Sequence, residues 1–86
     1  MPELWQVQIH RKVNDVVYAL PPQIAASIHA VMRQLQQNPD LADSRLVGSL
    51  SDVFEVFVSQ YRLVYQVEED KKLVKVVRVH LTSAIE

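Results

Sequence analysis

The feature that most constrains the fold is a series of three runs rich in β-branched and aromatic side chains in the second half of the chain. The runs cover residues 53–59, 61–68 and 73–80, and side chains of this kind are enriched in β-strands. The last two runs are joined by a predicted turn at 69–71. Connections this short join antiparallel neighbours. The second half is therefore predicted to be an antiparallel meander of three strands.

The first half of the chain combines one strand with two helices. Residues 4–10 alternate apolar and polar side chains, which is the period of a half-buried strand. Apolar residues then follow at helical spacing over 11–19 and again over 24–35. The prolines at 21–22 end the first helix, and the Asn-Pro-Asp sequence at 38–40 ends the second. Two helices joined this closely are expected to pack as an antiparallel pair.

These elements predict an α+β fold with the order β-α-α-β-β-β. A chain of 86 residues supports one hydrophobic core, so residues 1–86 are expected to form a single domain. The two-helix hairpin should pack on one face of a mostly antiparallel four-stranded sheet, in which the strand of residues 4–10 joins the other three. The expected core residues are Trp5, Val7, Ile9, Ile28, Val31, Leu35, Tyr65 and Val67.

Composition and charge narrow the function classes. The absence of cysteine excludes disulfides and thiolate metal sites. No apolar run approaches the roughly 18 residues that cross a bilayer, and residues 1–5 lack the pattern of a signal peptide. We therefore expect a cytoplasmic chain with no membrane partner. Nine Lys and Arg against ten Asp and Glu give a net charge of −1, so nucleic-acid binding would need a local basic patch.

Four short motifs occur in a specific order along the chain. They are Leu20-Pro21, Leu35-Gln36-Gln37-Asn38-Pro39, Leu46-Val47-Gly48-Ser49-Leu50 and Tyr61-Arg62-Leu63-Val64-Tyr65. Together they resemble the RelE/ParE family of toxin–antitoxin toxins over residues 5–80, and the last motif looks like the central strand of RelE-type toxins. The resemblance implies a toxin without a cofactor that a cognate antitoxin protein neutralises, as a homodimer or as a toxin–antitoxin hetero-oligomer.

The RelE branch of this family implies a particular chemistry. Its members act in the ribosomal A site and cleave mRNA without a metal, which represses translation. The RNA 2′-hydroxyl attacks the adjacent phosphate, so the reaction needs a base, an acid and a cation for the developing charge. The resemblance therefore implies an endoribonuclease whose partners are the ribosome and mRNA.

Five residues are candidates for these roles. Arg62 matches the family arginine that contacts the scissile phosphate, and a guanidinium can bind two phosphate oxygens. His80 lies where the YoeB-like branch has a histidine, and an imidazole titrates near neutrality. Glu55 is a candidate base, or else a strand glutamate that is solvated or paired with an arginine. Arg78 and Lys75 are candidates for substrate binding.

The sequence also departs from the family pattern. The family often ends its last strand with an arginine, followed by a tyrosine near the end of the chain, but residues 81–86 contain neither. RelE-type toxins are usually strongly basic, whereas this chain is slightly acidic. Two other functions therefore stay open. One is a ParE-like inhibitor of DNA gyrase without catalytic residues, and the other is a degenerate toxin that only binds its antitoxin.

Strand geometry predicts whether Arg62 and His80 can cooperate. Directly opposed residues of an antiparallel pair point to the same face, and successive residues alternate. Arg62 and His80 both have even numbers. They therefore lie on the same face of the hairpin only if the two residue numbers of each directly opposed pair add up to an even value. We predict a three-residue turn that places Glu68 opposite Lys72 and Arg62 opposite Arg78, close to His80.

The apolar run at 53–58 predicts a surface for a partner. Phe54 and Phe57 cannot both face the helices without a bulge, because they are three residues apart. One of them should lie on the open face of the sheet, where an antitoxin segment could cover it.

Overall fold

The computed structural model describes residues 4–39, 45–47 and 52–82. The elements are β1 (Gln6–Ile9), α1 (Arg11–Tyr18), α2 (Pro22–Gln37), β2 (Arg45–Leu46), β3 (Val53–Val58), β4 (Tyr61–Glu68), a 3-10 turn (Glu69–Lys71) and β5 (Leu73–Leu81). The predicted order of strands and helices is confirmed, with the two-residue strand β2 in addition. The glycine of the Leu-Val-Gly-Ser-Leu motif, and the chain after residue 82, lie outside the described residues.

The four long strands form one sheet, and β2 extends it at one edge. The strand order is β1-β5-β4-β3-β2, with β1 parallel to β5 and every other neighbouring pair antiparallel. The first strand therefore joins the sheet as predicted. A parallel neighbour requires a long crossover connection, and the chain from α1 to β4 supplies it.

Both helices pack on one face of this sheet. The core cluster comprises Val13, Val17, Ile28, Leu35, Val56, Val58, Leu63, Tyr65, Val74, Val76 and Val79. Of the expected core residues, Ile28, Leu35 and Tyr65 are fully buried. The other five, which are Trp5, Val7, Ile9, Val31 and Val67, are partly buried and pack against the cluster.

Local contacts explain where the helices begin. The Nδ1 atom of His10 accepts a hydrogen bond from the backbone N–H of Lys12 at 3.1 Å, so this histidine caps α1. The second helix begins at Pro22, where the missing N–H would have no intrahelical partner. Its end is held close to the sheet because the Tyr65 hydroxyl donates to the carbonyl of Pro39 at 2.9 Å.

The turn between β4 and β5 differs from the prediction. Glu68 pairs with Leu73, so the connection is four residues long, and the three-residue turn was wrong. Lys72 closes the connection in the left-handed region, with φ 52° and ψ 47°, and its ammonium lies 4.9 Å from the Trp5 ring centroid. This pairing gives an odd sum of residue numbers, which by itself would place Arg62 and His80 on opposite faces.

A β-bulge reverses that outcome. Val64 pairs with Arg78 but Tyr65 pairs with Val76, so Val77 has no partner on β4. The extra residue shifts the register by one. Arg62 consequently lies directly opposite His80, and the prediction that these residues share a face is confirmed by another route than the one proposed. The predicted pairing of Arg62 with Arg78 was wrong.

The two-residue turn at 59–60 that joins β3 to β4 offers a test of the fold. Ser59 has φ 57°, which an L-residue adopts at a cost and glycine adopts freely. We expect Ser59→Gly to raise the free energy of unfolding by about 1 kcal/mol, measured as an increased urea midpoint at unchanged m-value. Ser59→Ala, which keeps the β-carbon, should give no gain. A lower midpoint for the glycine variant would contradict this description of the turn.

Candidate functional site

The predicted catalytic residues lie on the face of the sheet opposite the two helices, which we call the outer face. Leu63 and Tyr65 of β4 are fully buried in the core, so the intervening strand residues point outward. On this face Phe57 lies directly opposite Arg62, and Arg62 lies directly opposite His80. These three side chains, one from each of three neighbouring strands, are named the Arg62 row.

An ion pair with Glu55 holds Arg62 in place. The Nε atom of Arg62 donates to Oε2 of Glu55, and the carboxylate side chain is only 9% exposed while the arginine side chain is 26% exposed. A buried carboxylate is stable only when such a partner compensates its charge. The guanidinium makes no further hydrogen bond within the described part of the chain, so its two Nη groups can bind a ligand.

The environment of His80 favours a neutral imidazole. Burial lowers the pKa of His80 below its usual value of 6.5, and the positive charges of Arg62 and Arg78 lower this pKa further, while Glu55 opposes them. The Nδ1 atom is shielded from solvent and finds no hydrogen-bond partner among residues 4–39, 45–47 and 52–82.

The two candidates for substrate binding have different surroundings. Arg78 is exposed and lies opposite Val64, next to the Arg62 row. Lys75 lies opposite Gln66, four residues along β4 from Arg62 and therefore roughly 13 Å away. The Nζ atom of Lys75 is 3.3 Å from Oε1 of Glu68, so this lysine already has an acidic partner. The structure brings Arg78 to the site and leaves Lys75 outside it.

Glu55, the candidate base, forms an ion pair with Arg62. This pair agrees with the interpretation of an arginine-paired strand glutamate. Its action as a base stays a prediction, and its contact with Arg62 is the observed geometry.

Phe57 is the site residue that sequence reasoning missed. The expectation that the two phenylalanines face opposite sides is confirmed, because Phe54 stacks on Tyr65 on the helix side and Phe57 is 49% exposed on the outer face. Its position beside Arg62 depends on the two-residue turn at 59–60, which sets the register of β3 against β4. The short segment between the two strands was the feature of the sequence from which the position of Phe57 beside Arg62 could have been predicted.

The described residues contain neither a candidate metal site nor a membrane-spanning helix. In the parts of the chain that the structure describes, no group of three or more His, Cys, Asp or Glu side chains lies close enough together to bind a metal ion. The helices described are too short or too polar to cross a membrane.

Comparisons with known proteins identify relatives. Residues 7–84 match the model of a family described as the ParE toxin of the type II toxin–antitoxin system, parDE. No curated protein matches the chain.

Similar solved structures include three RelE proteins. The RelE–RelB complex from Pyrococcus horikoshii OT3 gives a TM-score of 0.81 at 19% identity, over 92% of this chain and 96% of that chain. The isolated E. coli RelE toxin gives 0.78 at 22% identity, over 90% and 83%. The RelBE2 complex from Mycobacterium tuberculosis gives 0.75 at 24% identity, over 91% and 98%. At such identities these matches show the fold.

The surroundings of His80 predict a titration that NMR can follow. We expect its imidazole to titrate below pH 6.5, because burial and two arginines disfavour the charged form. Arg78→Gln removes one of these positive charges from an exposed position, so the pKa of His80 should rise toward 6.5. A pKa at or above 6.5 in the unchanged protein, or a fall in the variant, would contradict the geometry described.

Proposed function

The chain belongs to the ParE toxin family of type II toxin–antitoxin systems, and we propose that it cleaves mRNA at the Arg62 row. In this proposal the chain is a metal-independent endoribonuclease that represses translation, as its resemblance to RelE toxins implies. The observation that carries the proposal is the direct cross-strand pairing of Arg62 with His80 on the outer face. Such partners have β-carbons about 5 Å apart, so one phosphodiester can touch both side chains.

Each residue of the site then has a defined task. The Nε2 atom of neutral His80 takes the proton from the 2′-hydroxyl of the RNA. The 2′-oxygen attacks phosphorus, the bond from phosphorus to the 5′-oxygen breaks, and the leaving oxygen takes a proton from water. Arg62, with Arg78 nearby, stabilises the negative charge that develops on the phosphate oxygens. The products are a 2′,3′-cyclic phosphate and a 5′-hydroxyl end.

Glu55 acts in this proposal through Arg62. Its carboxylate binds Nε, which holds the guanidinium in place and leaves the two Nη groups to bind a phosphate. The same contact reduces the net positive charge of the site. Such a site holds RNA weakly, because affinity for RNA depends on the number of phosphates neutralised. Weak binding of RNA by the toxin supports the ribosome as the place of action, because the ribosome itself holds the mRNA in position.

A second candidate function is inhibition of DNA gyrase without catalysis. The matching family model describes ParE toxins, and this observation favours the second candidate. The net charge of −1 also fits a protein target better than an RNA target. A degenerate toxin that only binds its antitoxin is the remaining alternative, and it would be inactive in both assays.

An antitoxin is the proposed partner in every case. The P. horikoshii and M. tuberculosis relatives were solved as RelE–RelB complexes, which supports a protein partner for this chain. An antitoxin segment that covers the outer face would bury the exposed ring of Phe57 and block Arg62 and His80.

The proposed chemistry predicts the effect of removing either side chain. Arg62→Ala and His80→Ala should each slow mRNA cleavage at least tenfold, about 1.4 kcal/mol in transition-state stabilisation, as seen by primer extension in a translating extract. Arg33→Ala, which removes a positive charge from the exposed surface of α2, should cleave normally. Cleavage at the unchanged rate by both row variants would refute the mechanism. A gyrase supercoiling assay in parallel tests the second candidate.

The proposed partner predicts a stable complex. Co-expression with the product of the adjacent gene should yield a complex that survives purification, because the antitoxin would cover apolar surface at Phe57. Failure of the purified toxin to bind any candidate antitoxin at micromolar concentration would remove the main support for this partner.

A further inference from the structure

We propose that the groove between β1 and α2 binds an extended, acidic segment of a partner protein, which joins the sheet as an additional strand beside β1. The groove is lined by Val7, His29, Met32, Arg33 and Gln36. It lies on the helix side of the sheet, away from the Arg62 row. The inference therefore concerns a second surface and does not depend on the proposed nuclease.

The first strand has free backbone groups because it lies at the edge of the sheet. Among the described strands its only neighbour is β5. The N–H groups of Gln6 and His10 donate to carbonyls of Lys72 and Val76 on that side, and alternate residues of a strand direct these groups to opposite sides. The N–H and C=O groups at positions 7 and 9 consequently point away from β5, where no described residue bonds to them.

Helix α2 lies beside this free edge and forms the other wall of the groove. The N–H of Trp5 donates to the carbonyl of Gln36 at 2.7 Å, which joins the start of β1 to the end of α2. The groove has a volume of about 280 Å³, which is below the usual size of a small-molecule pocket. Extended peptides bind to exposed sheet edges by adding a strand. Such a segment can pair with Val7 and Ile9 while its side chains enter the groove.

Charge selects an acidic segment as the occupant. His29 and Arg33 are four residues apart, which places them on the same face of α2, and both line the groove. Neither side chain has an acidic partner in the described part of the molecule. The sequences of β1 and α2 contain no Asp or Glu. A carboxylate on the bound segment would supply the missing negative charge, while Val7 and Met32 offer apolar contact.

The backbone groups of the edge favour a protein over a nucleic acid. The carbonyls of Val7 and Ile9 need hydrogen-bond donors, and their N–H groups need acceptors. A polypeptide strand offers both kinds of group along its length, whereas the phosphates of a nucleic acid offer acceptors alone. A single arginine also neutralises too few phosphates to hold a nucleic acid tightly.

Binding of a synthetic peptide to the full chain tests this inference. The probe is a short fluorescein-labelled peptide in which glutamate alternates with valine, and the measurement is fluorescence anisotropy. Val7→Pro removes the outward N–H but none of the hydrogen bonds between β1 and β5, a position at which edge strands tolerate proline. Binding should weaken about tenfold. An unchanged m-value in urea unfolding shows that the variant still folds.

Modified peptides test the added strand without any change to the protein. One peptide is N-methylated on its glutamates and another on its valines, so each lacks the N–H groups of alternate residues. One of the two should lose binding and the other should keep it, because only alternate residues of a strand direct their N–H groups toward β1. Equal affinities of the two peptides would contradict strand addition.

A charge variant tests the acidic character of the segment. Arg33→Gln should weaken binding of the glutamate peptide by up to about fivefold, as expected for an exposed ion pair, and high salt should remove the difference. A peptide with glutamine in place of glutamate should bind the unchanged protein and this variant equally. Arg78→Gln, the same change on the outer face, is the matched control and should have no effect.

The outcomes separate this inference from the proposed function. Failure of the unchanged protein to bind the glutamate peptide, or binding that Val7→Pro leaves intact, would overturn the inference. Binding of a labelled single-stranded RNA that Arg33→Gln weakens, without binding of the peptide, would assign the groove to nucleic acid and also overturn it. Neither change touches the Arg62 row, so the presence or absence of mRNA cleavage decides the proposed nuclease separately.

Discussion

The outer face depends on one structural irregularity, the β-bulge at Val77. Val74 and Val76 face the helices before the bulge and Val79 faces them after it. A regular strand continuing the phase of Val74 and Val76 would turn Arg78 and His80 into the apolar core, where charged and polar groups are costly. The bulge thus keeps Arg78 and His80 out of the apolar core. The same shift of register places His80 opposite Arg62.

The ion pair between Glu55 and Arg62 is the second constraint on the site. It anchors the guanidinium in the sheet but offsets its charge, which leaves Arg78 as the nearby arginine without an acidic partner among the described residues. The proposed reaction therefore relies on geometry more than on net charge. This balance agrees with a chain whose formal net charge is −1, and in the proposed function it requires a substrate that something other than this protein holds in position.

Much of the fold could be predicted from the sequence because it depends on local patterns. Alternation, helical spacing and prolines gave the order of elements and most of the core. The register of β5 could not be obtained by assuming a regular strand, because the bulge and the turn length compensate for each other. The sequence Val74-Lys75-Val76-Val77-Arg78-Val79-His80 does carry the signal, since its apolar period breaks at Val77. The capping role of His10 depends on a side-chain contact that patterns do not specify.

The central claim is that Arg62 and His80 form one catalytic site, and a double-mutant cycle tests it most directly. Single-turnover cleavage of a defined mRNA would be measured for the unchanged protein, each alanine variant and the double variant. Residues that act as a unit are non-additive, so the double variant should be no slower than the slower single variant. Losses that multiply, or no cleavage by the unchanged protein, would contradict the claim.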